Sequence, residues 1–269
     1  MEFGISTAAF YRRAATEDAL CHIREQGASL CEVYLESFSE YTPDFAHLLR
    51  QRADALGLRV VSVHPMGTQF EPQLFSLSVR QHDDAWRIFE RVLQSAQILG
   101  AKYYVMHGPP TMRGALKNAE AGRIGPIIAE LCALAGCYGL RLAWENVSWC
   151  LFDSPSFPSS IEPYLNGAGL GYTFDVKQAS RSGCDPYGIL DAMGSRLCHL
   201  HACDVFTSGG RMFTAMPGKG SFDFARLGER LRQRGYQGAV MLEPYSDTYE
   251  SIGEIGAALR WLKKTMEPD

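Results

Sequence analysis

Six β-rich stretches of the chain stop on a side chain that can hold a metal ion or carry a proton: His64, His107, Glu145, Asp175, His201 and Glu243. Alone, each is an ordinary solvated rim residue or loop cap; together they point to one shared polar site. Side chains alternate along a strand, so Ala239, Met241 and Glu243 share one face of "AVMLE" while Val240 and Leu242 share the other. The same alternation groups Ala143 with Glu145, Thr173 with Asp175, Val105 with His107, and His199 with His201. Carboxylates converging at one place repel each other and are costly to desolvate. A divalent cation removes both problems, so a bound metal is expected. The carboxylate-rich donor set favours one hard ion, manganese, magnesium or cobalt; with histidines nearby, zinc is also compatible.

The elements that must position these residues are eight strand-like runs, at 2–6, 29–35, 58–64, 101–107, 140–146, 170–175, 196–201 and 239–243. Segments of helical period separate them at 16–26, 43–56, 78–99, 121–138 and 224–234, and 250–266 closes the chain. Pro43 opens one helix, and Gly27, Gly57, Gly100, Gly139 and Gly235 follow others, as helix starts and stops require. Eight β–α alternations predict an α/β fold, a (β/α)8 TIM barrel forming a single domain over 1–269. A doubly wound sheet is the alternative, but "GISTAAF" after the first run is not a dinucleotide-binding glycine loop, and "PGKG" (217–220) lacks Walker spacing. In a barrel, the polar strand ends meet at the carboxyl mouth, where barrel enzymes keep their active sites.

Composition narrows the partners. The net charge is −4 with 21% charged residues, and the basic residues are scattered, so nothing points to nucleic acid or an anionic membrane. No run is long enough to span a bilayer, and "MEFGISTAAFYRR" does not read as a signal peptide. The eight cysteines form no Cys-x-x-Cys pair and several sit in apolar runs, as expected for reduced thiols in a cytoplasmic protein.

The stretch from "CHLHACD" (198–204) through "PGKGSFDFARLGERLRQRGYQGAVMLEPY" (217–245), with "AWEN" (143–146) and "FDVKQA" (174–179), resembles the xylose-isomerase-like TIM barrel superfamily. That superfamily contains sugar isomerases and epimerases, inosose dehydratase and the metal-dependent AP endonucleases. The resemblance implies that Glu145, Asp175, His201 and Glu243 hold one divalent metal, and that Glu145 and Glu243 exchange protons with a small sugar-like substrate through an ene-diolate. It also implies a homodimer or homotetramer. The sixth-strand motif is commonly D-x-x-H, whereas Gln178 stands at the His position here, and "VFTSGGRMFTAMPGKG" contains no histidine. Two ligand positions of the nuclease branch are therefore missing, although His64 and His107 match that branch. An isomerase or epimerase is the leading expectation. An inosose-type dehydratase, a phosphodiesterase and a metal-bearing accessory barrel without isomerase activity are the alternatives.

Other residues carry finer expectations. His64, His107 and Gln178 are expected to contact substrate, as are Arg211 and Lys219 from the loop after the seventh run. His199 is expected behind His201, and Asp204 is expected to orient it, since a metal-bound histidine needs a partner. Glu32 reads as a buried structural carboxylate with an Arg or backbone partner. Phe10, Trp149 and Phe152 either wall the pocket or pack loops on its rim. Lys177 reads equally well as a pocket residue or a solvated loop position.

Overall fold

The computed structural model describes residues 1–111 and 118–268. In chain order the strands are β1 (Glu2–Ser6), β2 (Leu30–Leu35), β3 (Arg59–Pro65), β4 (Tyr103–Met106), β5 (Arg141–Glu145), β6 (Gly171–Asp175) and β7 (Leu197–Ala202), then β8 (Asp204–Ser208), β9 (Arg211–Ala215) and β10 (Ala239–Leu242). All but β8 and β9 are parallel and close into a barrel in which β1 lies between β10 and β2. The helices are α1 (Thr16–Glu25), α2 (Pro43–Ala55), α3 (Val79–Leu99), α4 (Asn118–Cys137), α5 (Ser156–Ile161), α6 (Val176–Arg181), α7 (Pro186–Met193), α8 (Phe224–Gln233) and α9 (Gly253–Met266). The barrel strands fall close to the runs read from the sequence, because one apolar face in two sets the period of each. Among the described residues no helix is long and apolar enough to cross a membrane.

The outward faces of the strands, including Trp144, Phe174, Leu200, Val240 and Leu242, pack with the helices into one apolar layer. Leu30, Val61, Ala239 and Met241 form a separate cluster with Tyr103, inside the amino end of the barrel. Above that plug the interior turns polar. Glu32 pairs in register with Ser62, Tyr34 with His64, Thr173 with His199, and Asp175 with His201. The expected alternation therefore delivers polar side chains inward and upward.

Most of the stretch 205–220, expected as a loop, is instead an antiparallel hairpin of β8 and β9. Its two-residue turn, Gly209-Gly210, has φ of 57° and 74°. Both values suit a turn with φ positive at both central residues, whose twist matches that of the strands. The signal was present: Gly-Gly between "VFTS" and "RMFT".

Asp204 begins this excursion, and its carboxylate does not meet His201. It accepts hydrogen bonds from the backbone N–H groups of Val205 (2.8 Å), Gly218 (3.0 Å), Gly220 (3.0 Å) and Phe222 (3.0 Å). A Cβ on Gly220 would stand 2.3 Å from Asp204 Oδ1, so glycine is what lets the backbone wrap this carboxylate. Asp204 thus organises the P-G-K-G loop rather than orienting His201. Hydrogen bonds to a charged group contribute about 1.5–3 kcal/mol each in the net. Asp204→Ala is expected to lower unfolding stability by at least ~2 kcal/mol, read by urea denaturation. A loss below 0.5 kcal/mol (roughly the scatter of surface substitutions) would remove this role.

Candidate active site

His201 Nδ1 sits at the centre of the carboxyl mouth. It lies 3.5 Å from Glu145 Oε2, 3.5 Å from Glu243 Oε2 and 3.8 Å from Asp175 Oδ2. All four side chains are buried. Both His201 Nδ1 and Glu145 Oε2 are buried without a hydrogen-bond partner. Three carboxylates around an imidazole nitrogen, two of the atoms unpartnered, fit a divalent cation by donor chemistry and by placement. The four residues expected to share a metal are thus brought together.

Each is held by its neighbours. Glu32 is fully buried, and its Oε2 accepts from Ser62 Oγ (2.7 Å), His199 Nε2 (2.9 Å) and His201 Nε2 (3.1 Å). Its partners are therefore one hydroxyl and two imidazoles, not the Arg or backbone group expected. By drawing the His201 proton to Nε2, Glu32 leaves Nδ1 to face the carboxylates, the ligand tautomer a metal needs. Asn146 ties two strand ends: its Nδ2 donates to the Asp175 carbonyl (3.0 Å) and its Oδ1 accepts from Asp175 N (2.8 Å). Asp175 in turn caps α6, with Oδ1 accepting from Gln178 N at 2.7 Å. Buried Glu71, which sequence reasoning did not single out, accepts from the backbone N–H groups of His107 (2.9 Å) and Gly108 (3.0 Å) and from Tyr104 OH (3.1 Å). Gly108 has φ 73°, and a Cβ there would meet Trp144 at 2.2 Å.

Above the carboxylates opens a cavity of about 450 Å³. His64, His107, Glu145, Gln178 and Glu243 line it, with Tyr11, Tyr34, Trp149 and Tyr245 as aromatic walls. His64 and His107 meet through their Nε2 atoms at 2.9 Å, and His107 Nε2 is 3.2 Å from Glu145 Oε2. Gln178 Oε1 accepts from Ser148 Oγ (2.9 Å), which fixes the amide at the wall. His199 lies fully buried below, on Glu32. Phe10 and Phe152 are core residues, so only Trp149 of the three expected aromatics faces the cavity.

Arg211 and Lys219 do not line the cavity. Arg211 sits exposed at the hairpin turn, and Lys219 Nζ pairs with Glu254 Oε2 at 2.5 Å. Arg211 is carried outward on the hairpin, and Lys219, in the loop after β9, is held by its pair with Glu254. Two cations that were not assigned to the site are at the cavity instead: Arg12, with φ 65°, and Lys177.

A family model described as the xylose isomerase-like TIM barrel matches residues 22–265. The chain belongs to that family. L-ribulose-5-phosphate 3-epimerase UlaE of Escherichia coli is 28% identical over 191 residues, 68% of this chain and 66% of the relative, just under two thirds of its length. Among solved structures, D-psicose 3-epimerase with D-tagatose from Clostridium cellulolyticum H10 superposes with a TM-score of 0.80 at 18% identity, covering 99% of this chain and 100% of that one. The IOLI protein with a binding zinc atom gives 0.79 at 17% identity, covering 99% and 98%.

In this xylose isomerase-like barrel, burial opposes every charge at the mouth and the neighbours decide the outcome. Burial pushes the Glu243 carboxyl up, but His201, Lys177 and His64 bring it down to about 2. Burial pushes His64 down, but Glu243, Glu32 and Glu145 lift it to about 10. His201 is likewise held well above the usual range against burial, by Glu243, Glu32 and Glu145. Asp175 rises to about 6 through burial, only partly offset by Lys177. Without a metal, this carboxylate cluster is balanced by the imidazolium charges of His64 and His201 and the ammonium of Lys177.

Proposed function

We propose that this barrel is a divalent-metal-dependent isomerase or epimerase acting on a sugar or a small hydroxy-carbonyl compound. The observation that carries it is the convergence of Glu145, Asp175 and Glu243 on the unpartnered His201 Nδ1 at the floor of the cavity. These four residues would hold the metal, which when bound would polarise substrate oxygens and stabilise negative charge developing on them. The relative named as a ribulose-phosphate 3-epimerase supports this class of chemistry.

Glu145 and Glu243 both line the cavity, whereas Asp175 does not. The two glutamates can therefore reach a substrate carbon, one removing a proton next to a carbonyl and the other returning one. Asp175, tied to Asn146 and the α6 backbone, acts as a fixed anchor. His64 and His107, bonded to each other beside Glu145, are placed to donate to substrate oxygens. The aromatic walls suit the apolar faces of a sugar ring and exclude water. Oxygen-rich donors favour manganese, magnesium or cobalt.

One observation supports a second reading. His64, His107 and Glu145 also bring three ligand atoms within 4.8 Å of one another, which a phosphodiesterase could use for a further ion. The metal count separates the two: about one ion per chain for the isomerase, two or more for the phosphodiesterase.

The decisive experiment incubates the metal-loaded protein in deuterium oxide with a panel of ketoses, free and phosphorylated. Incorporation of deuterium next to the carbonyl is expected, and stripping the metal with a chelator is expected to lower the rate by at least ~10²-fold. An absence of exchange across the panel, with abasic-site duplex cleaved instead, would overturn the proposal.

A further inference from the structure

Lys177 is 4% exposed, at the turn from β6 into α6. Its Nζ donates to Asp175 Oδ2 and to Glu243 Oε2, each at 2.7 Å. The Tyr245 ring lies 5.3 Å from the ammonium on the cavity side. A buried ammonium is tolerated only where acids compensate its lost hydration, and here both partners belong to the proposed metal set. The same two oxygens that face His201 Nδ1 are thus already shared with a cation of the chain's own.

We propose that Lys177 is a built-in counter-cation of the metal centre: it holds Asp175 and Glu243 together before an ion arrives, and then opposes that ion's charge, so the metal is held exchangeably. This rests on the metal reading of Glu145, Asp175, His201 and Glu243. Two carboxylates left without the ammonium repel each other across a buried space. A divalent ion bound by those carboxylates is repelled by the ammonium that contacts them, and a repulsion in a buried site is little screened by salt. The ammonium therefore stabilises the metal-free fold and weakens the metal-bound state relative to it.

The test uses the full chain stripped by a chelator, titrated with manganese, and followed by thermal unfolding, with no substrate. Lys177→Met keeps the length of the side chain and removes the charge. Its metal-free melting temperature is expected to fall by at least ~5 °C, with manganese binding at least tenfold tighter and restoring most of that loss. Lys177→Arg, which keeps the charge, is not expected to tighten binding. The proposal is overturned if Lys177→Met leaves both quantities at wild-type values, or if it weakens manganese binding, since Lys177 would then only position ligands. If Lys177→Met is insoluble without metal, refolding in manganese is expected to recover it; failure to recover also overturns the proposal. A wild-type chain that binds neither manganese nor magnesium, cobalt or zinc overturns the metal centre itself, a result distinct from the others.

Discussion

Glu243→Gln is expected to lower turnover by about 10²–10⁴-fold while leaving the barrel folded, the range a positioned acid–base group contributes. The substitution keeps the side chain's volume and its carbonyl oxygen, so Lys177 keeps an acceptor where Oε2 now stands at 2.7 Å. What disappears is the ability to take a proton from carbon. Glu243 is the member of the cluster best placed for that work. It lines the cavity, and the charges of His201, Lys177 and His64 hold its carboxyl at about 2 despite burial, so it is ionised at neutral pH. Deuterium exchange into substrate reads the proton step directly, and circular dichroism reads the fold. Wild-type exchange in the variant would assign the proton to another group. Loss of the fold would make Glu243 a structural anchor.

The second large effect is expected at Glu32, which does not line the cavity. Its Oε2 collects Ser62, His199 and His201, and His201 Nε2 lies 3.1 Å from both of its oxygens. In Glu32→Gln one oxygen becomes an NH₂ group facing imidazole N–H donors. His201 must then move or change tautomer, which presents the wrong nitrogen to the carboxylates. Removing such a partner of a metal-bound histidine costs about 10–100-fold in metal affinity. Breaking a buried ion pair by deleting one partner costs about 3–5 kcal/mol of stability. Metal titration and urea denaturation measure the two losses. A variant that retains both would show that His201 is oriented by something other than Glu32.

The barrel and the convergence of residues at its candidate site were legible in the chain because both are written in short-range patterns. Strand alternation puts Glu145, Asp175, His201 and Glu243 on the inward face, and strand ends define the mouth. No tertiary information is needed for either step. Family motifs then selected these four from a longer set of polar strand ends. Even Gln178 could be flagged, as a substitution within a recognisable motif.

What only the tertiary structure decided are the pairings between elements far apart in sequence. Glu32 and His201 are separated by 169 positions, and the barrel's closure brings them within 3.1 Å. Nothing local to Glu32 names that partner. Asp204 stands three residues after His201, yet its carboxylate turns to the loop at 218–222, because the hairpin brings that backbone round to it. The same hairpin carries Arg211 away from the cavity it was expected to serve, and Lys219, in the loop that follows, is held by Glu254 instead. Lys177 went the other way. A lysine beside a strand end is usually solvated, but α6 starts at once on the Asp175 cap and folds the side chain back between two acids. Sequence spacing determines which residues share a face. Whether a flexible charged side chain meets water or an opposite charge depends on what the fold places within its reach.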